Sequence, residues 1–194
     1  MKTVIAIAAL AGMNSSALAG VPSTVADFGL VVGSANASAT IPAFDVDVFW
    51  VSFEVGGSET YLDITTSFNS GFTDTEIGLF DASGNFIDSD DDEGIATAST
   101  LSFGTGSGLE LGDVGNLTGG IATGNNGAML AAGTYYVAFG GFDTTFSNGF
   151  GASSTYFDFD DAPMTLTVYA GVPTPASASL LALGGFAATR RRRA

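Results

Sequence analysis

The chain has no cysteine and no histidine. Its five basic residues are Lys2, Arg190, Arg191, Arg192 and Arg193, all at its two ends. Each absence excludes a class of function. Without cysteine there are no disulfides, no thiolate metal sites and no thiol nucleophile. Without histidine a Ser-His-Asp relay lacks its base. Between residues 3 and 189 there is no lysine or arginine, so that stretch cannot form a Lys or Arg salt bridge, a Ser-Lys pair or a phosphate loop with its lysine. All twenty Asp and Glu residues fall between Gly20 and Gly171, giving this body a formal charge of −20. Such a surface repels phosphate backbones and excludes nucleic acid as a partner. Residue type alone leaves a two-carboxylate glycosidase open. A body of about 150 residues without imidazole or cationic groups makes it the least favoured reading.

The two ends read as processing segments. Residues 1–19 have the order of a secretory signal: Lys2, an apolar run over residues 4–11, and Ala17-Leu18-Ala19 before Gly20 as a signal peptidase site. The run is too short for a permanent bilayer span. At the other end, Val172, Pro173, Thr174 and Pro175 precede a modestly apolar segment over residues 176–189, then Arg190, Arg191, Arg192 and Arg193. That segment is short for ~30 Å of hydrocarbon, and the arginines favour a cytoplasmic end. These features predict a helical signal, a single domain over residues 20–171, and a short hydrophobic C-terminal helix making transient membrane contact.

What remains is patterned with period two. Phe49, Val51, Phe53 and Val55 alternate with Val48, Trp50, Ser52 and Glu54. Further alternating stretches cover residues 61–66, 77–79, 97–103, 135–139 and 164–169. Asp81-Ala82-Ser83-Gly84-Asn85 reads as a hairpin turn into Phe86 and Ile87. Roughly eight strands predict an all-β fold, an antiparallel, jelly-roll-like β-sandwich. The Gly-rich stretch 104–126 reads as a long loop with a short strand near residues 109–111.

The acidic run Asp88-Ser89-Asp90-Asp91-Asp92-Glu93-Gly94 offers oxygen ligands for calcium, which takes six to eight of them. Asp81, across the hairpin turn, extends the candidate set to Asp81, Asp88, Asp90, Asp91 and Asp92. It is not an EF-hand: with Asp88 first, Glu93 stands at the glycine position and Ser99 at that of the bidentate glutamate. The same residues also fit a solvated acidic loop that maintains solubility. Asp158, Asp160 and Asp161, with Tyr156, Phe157 and Phe159 interleaved, form a second acidic group that Asp143 could join. An edge strand guarded by charge is the preferred reading of this group, ahead of a second cation site. Asp45 and Asp47 either ligate or flank a strand start. Trp50, Tyr136 and Tyr169 lie opposite the main apolar faces, as glycan-stacking rings would, or as rim residues half-buried by packing.

Two resemblances add to this. Val172-Pro173-Thr174-Pro175, the apolar segment and the arginine cluster resemble a PEP-CTERM sorting signal, with Thr174 where that family usually has Glu. The resemblance implies recognition and cleavage by an exosortase-type membrane protease. Asp45-Val46-Asp47-Val48-Phe49-Trp50-Val51-Ser52-Phe53, Ile77-Gly78-Leu79-Phe80-Asp81-Ala82-Ser83-Gly84-Asn85, Asp90-Asp91-Asp92 and Leu130-Ala131-Ala132-Gly133-Thr134-Tyr135-Tyr136-Val137, in that order, resemble the bacterial pre-peptidase C-terminal type of domain. This second resemblance implies a non-catalytic β-sandwich of secreted or surface proteins, some of which bind calcium or extracellular polymers. The combined expectation is an exported, non-catalytic cell-envelope or extracellular-matrix protein, with a secreted carbohydrate-binding module as the alternative and extracellular polysaccharide as its partner.

Overall fold

The computed structural model describes residues 20–68, 74–94, 97–106, 126–155 and 157–172. The signal over residues 1–19, the short strand near 109–111, Tyr156 and the tail beyond Val172 lie outside the described residues. Eleven strands and no helix are found among the described residues: β1 (Ala26–Leu30), β2 (Gly33–Ile41), β3 (Phe49–Val55), β4 (Tyr61–Phe68), β5 (Thr75–Asp81), β6 (Phe86–Asp90), β7 (Thr100–Gly104), β8 (Gly133–Gly141), β9 (Thr144–Ser147), β10 (Gly151–Ser154) and β11 (Ala162–Gly171).

The fold is an all-β sandwich. One sheet has the order β1-β3-β8-β5-β6, the other β2-β11-β4-β7, and β9 and β10 form a separate hairpin. The first sheet is mixed, because β1 runs parallel to β3 at its edge, whereas a wholly antiparallel arrangement was expected. Alternation dictates which side chains meet between the sheets. In β11, buried Met164, Leu166, Val168 and Ala170 alternate with half-buried Thr165, Thr167, Tyr169 and Gly171. Val51 and Phe53 of β3, Leu62 and Ile64 of β4, Ile77 and Leu79 of β5, Leu101 and Phe103 of β7, and Val137 and Phe139 of β8 complete one continuous core. Each such side chain stabilises the fold by roughly 1.5–3 kcal/mol.

The β9–β10 hairpin covers the outer face of the five-stranded sheet. Phe146 lies flat over Gly78, where an added Cβ would run into its ring, and stacks on Phe86 at 6.3 Å between centroids. Phe150, with φ 57° at the end of the turn, reaches Trp50 at 5.9 Å, Phe80 at 6.0 Å and Tyr136 at 5.1 Å. The hairpin is tied down by Gly149 N–H donating to the Gly84 carbonyl and by Phe86 N–H donating to Asn148 Oδ1, both at 2.8 Å. A second aromatic layer therefore stands outside the main core.

Candidate cation site and an acidic pocket

Strand β5 begins at one end of the sandwich, where the acidic loop after β6 returns toward β7. There Asp74, Asp91 and Asp92 each bring a carboxylate oxygen within 4.8 Å of the others. This is the one such group of three among the described residues. Oδ1 of Asp74 and Oδ1 of Asp91 are buried without a hydrogen-bond partner. Removal from water, followed by repulsion from Asp92 and Asp91, pushes Asp74 up to about 6. Desolvation and then Asp92 raise Asp91. Neighbouring Glu76 is pushed up to about 7, by desolvation first and by Asp91 second. Carboxylates left short of donors, beside one another and with no basic group in the body, favour a bound cation. An all-carboxylate set suits a hard ion such as calcium, whose remaining ligands come from carbonyls and water.

Local structure fixes this loop. Asp90 Oδ2 accepts the backbone N–H of Glu93 at 3.1 Å and of Thr100 at 2.6 Å. The Ser99 hydroxyl donates to the Asp91 carbonyl at 2.8 Å. Ser99 belongs to a buried hydroxyl group with Thr66 and Thr75, the last two 2.6 Å apart between their oxygens. Gly94 N–H donates to the Ala98 carbonyl at 2.6 Å, and a Cβ on Gly94 would overlap that carbonyl. Gly94→Ala is therefore expected to displace Asp91 and Asp92, costing about 1–3 kcal/mol. Thermal unfolding should show any calcium response lost while the far-ultraviolet circular dichroism stays that of a β-protein.

Of the five carboxylates expected to gather around an ion, only Asp91 and Asp92 come together, and their companion is Asp74. Asp81 closes its own turn, accepting from Ser83 N–H at 2.8 Å, Asn85 N–H at 3.0 Å and Asn85 Nδ2 at 2.7 Å. Asp88 accepts from Ser89 N–H and Asn126 Nδ2, both at 2.9 Å. Asp90, as described, braces the loop. Asp74 stands fourteen residues before the acidic run in a segment without alternation, and only β5 pairing places it there.

In the second acidic group, Asp143 accepts from the Thr155 hydroxyl at 2.6 Å, Asp161 from Ala43 N–H at 3.0 Å, and Asp158 from Phe159 N–H at 2.7 Å. A pocket of about 310 Å³ lies between these elements, lined by Ile41, Asp45, Asp74, Phe142, Asp158 and Ala162 among others. The three rings expected to stack on glycan do not form one platform. Trp50 and Tyr136 are half-buried beneath Phe150 on one sheet, while Tyr169 sits on the other.

These features define a cysteine-free β-sandwich with an acidic end. No protein-family model matches the chain, and no curated protein matches it. Among solved structures it is similar to the pre-peptidase C-terminal domain of a collagenase from Bacillus anthracis, at 13% identity and a TM-score of 0.43, covering 77% of this chain and 99% of that one. It is also similar to a periplasmic inhibitor of g-type lysozyme from Aeromonas hydrophila, at 10% identity and a TM-score of 0.36, covering 74% of this chain and 98% of that one.

Proposed function

We propose that this chain is an exported, non-catalytic protein of the cell envelope or extracellular matrix, whose sandwich is braced by calcium held at Asp74, Asp91 and Asp92. The observation that carries this reading is the carboxylate trio with its two unpartnered buried oxygens, in a body that has no basic side chain to neutralise it. Calcium supplies the missing positive charge and ties the start of β5 to the loop after β6. Extracellular modules bind calcium at about 10⁻⁴–10⁻³ M, so a site of this kind fills outside the cell. Compartment and chemistry therefore agree with the signal-like start and the PEP-CTERM-like tail. In this reading signal peptidase removes residues 1–19. An exosortase-type protease acts at Val172, Pro173, Thr174 and Pro175 after Arg190, Arg191, Arg192 and Arg193 have held the end at the inner face of the membrane.

Fractionation of cells expressing the full chain tests this directly. The expected product is found in the envelope or medium, with mass spectrometry showing an N-terminus at Gly20 and loss of the arginine cluster. Full-length protein confined to the cytoplasm contradicts export, and an exported product retaining its arginines contradicts sorting by cleavage.

A further inference from the structure

Next in sequence to Asp45 and Asp158, which line the pocket at the acidic end, stands a group of rings that the core does not use. Phe44, Phe157 and Phe159 are 65%, 45% and 71% exposed, yet they pack on one another with centroids 5.7–6.1 Å apart. Exposed aromatic clusters of this sort mark interaction sites. Phe44 also adopts φ 64°, a conformation that costs a bulky residue energy and that persists only where neighbours enforce it. The enforcement is visible: Phe44 N–H donates to the Asp158 carbonyl at 2.8 Å, and Ala43 N–H donates to Asp161 at 3.0 Å. The backbone that holds Phe44 outward also sets Asp45 and Asp158, both half-buried, into the wall of the pocket, whose other wall contains Ile41, Phe142 and Ala162.

We propose that this pocket and the neighbouring rings bind a protonated amine carried on a hydrocarbon stem, either a free polyamine or the side chain of a lysine. The stem suits the apolar wall and the ammonium suits Asp45 and Asp158, with the neighbouring rings adding cation–π attraction. The volume lies at the lower end of the range for small-ligand pockets, enough for such a group and small for a folded domain. A neutral glycan is the competing ligand for aromatic rings beside acceptors. Two carboxylates at one pocket that the calcium trio does not use, with no basic side chain from residue 20 to residue 172, favour the cation. The inference does not require an ion at Asp74, Asp91 and Asp92, because Asp45 and Asp158 lie outside that trio.

The test is a nitrogen–proton correlation titration of the full chain, in EDTA and again in calcium, at constant ionic strength. The probes are 1,5-diaminopentane, Nα-acetyl-lysine amide, 1-pentanol and a neutral oligosaccharide. Saturable shifts centred on Asp45, Gly141 and Phe159 are expected with an amine and not with the alcohol or the oligosaccharide. The tighter amine identifies the source. Asp158→Asn keeps the acceptor that holds Phe159 N–H and should weaken binding about tenfold. Phe44→Gly relaxes the backbone while removing a ring and should weaken it about threefold. Unchanged calcium binding in both variants would show that the two sites fail or hold separately. Equal shifts with 1-pentanol, shifts with the oligosaccharide alone, or amine binding untouched by Asp158→Asn would overturn the proposal.

Discussion

In EDTA above about pH 7, Asp74→Asn is expected to be more stable than the wild-type chain, and in saturating calcium less stable. The crossover follows from the surroundings of one carboxyl group. Without an ion, the Asp74 carboxylate is desolvated and repelled by Asp92 and Asp91, and the amide removes that repulsion. With an ion, the same carboxylate is a ligand and its loss removes the stabilisation. Calcium at a hundredfold excess over its dissociation constant contributes about 2.7 kcal/mol. In a domain of this size that is a rise in Tm of roughly 5–10 °C, and Asp74→Asn should lose most of it. A solvated acidic surface gives a different outcome: calcium and sodium chloride of matched ionic strength would then shift both proteins alike.

The same groups set the pH dependence of the ion-free protein. Asp74 and Asp90, at about 6, and Glu76, at about 7, all bind protons more tightly folded than unfolded. Burial is the first cause for each. A raised folded pKa makes stability highest below the unfolded value and lower as pH rises through the folded one. The Tm in EDTA should therefore climb as pH falls from about 7 to about 4.5. Asp81 and Glu59, held down by side-chain and backbone donors, oppose this only at lower pH. Saturating calcium should flatten the profile, because an occupied site keeps Asp74 and Asp91 ionised.

The second large effect is expected at Phe80. Its ring is 0% exposed although it lies on the outer face of β5, between Trp50 at 5.1 Å, Phe86 at 5.7 Å and the hairpin rings Phe146 and Phe150. Phe80→Ala leaves a void under the hairpin and should cost about 3–5 kcal/mol, read as a fall in the denaturant midpoint at unchanged m. Trp50 is the sole tryptophan, so its emission should shift to the red as water enters. Phe159→Ala is the matched control. At 71% exposure, it should change the stability by less than about 0.5 kcal/mol. Equal small effects at both positions would mean that the hairpin does not pack as described.

The strands whose inner residues are large and alternate with polar ones were legible in the sequence. β3, β4, β8 and β11 fall where the period of two places them, because Phe53, Ile64, Val137 and Leu166 each need one buried face. β2 was not legible, since Gly33–Ile41 turns mostly Ala, Ser and Thr toward its neighbours, and small residues carry little contrast between faces. The β9–β10 hairpin was hidden for another reason. Its strands are four residues each, too short for periodicity, and its value lies in Phe146 and Phe150 covering a face that the sequence presents as free. The carboxylate trio shows both limits together. The acidic run announces Asp91 and Asp92, but local turn geometry consumes Asp81, Asp88 and Asp90. The third member, Asp74, comes from strand pairing that no spacing encodes.

Calorimetric titration of calcium into the full chain at neutral pH and physiological salt tests the central claim most directly. The account predicts one saturable site, lost or severely weakened in Asp74→Asn and retained in Asp88→Asn. The absence of saturable binding, or binding indifferent to Asp74 and abolished by Asp88→Asn, would contradict it.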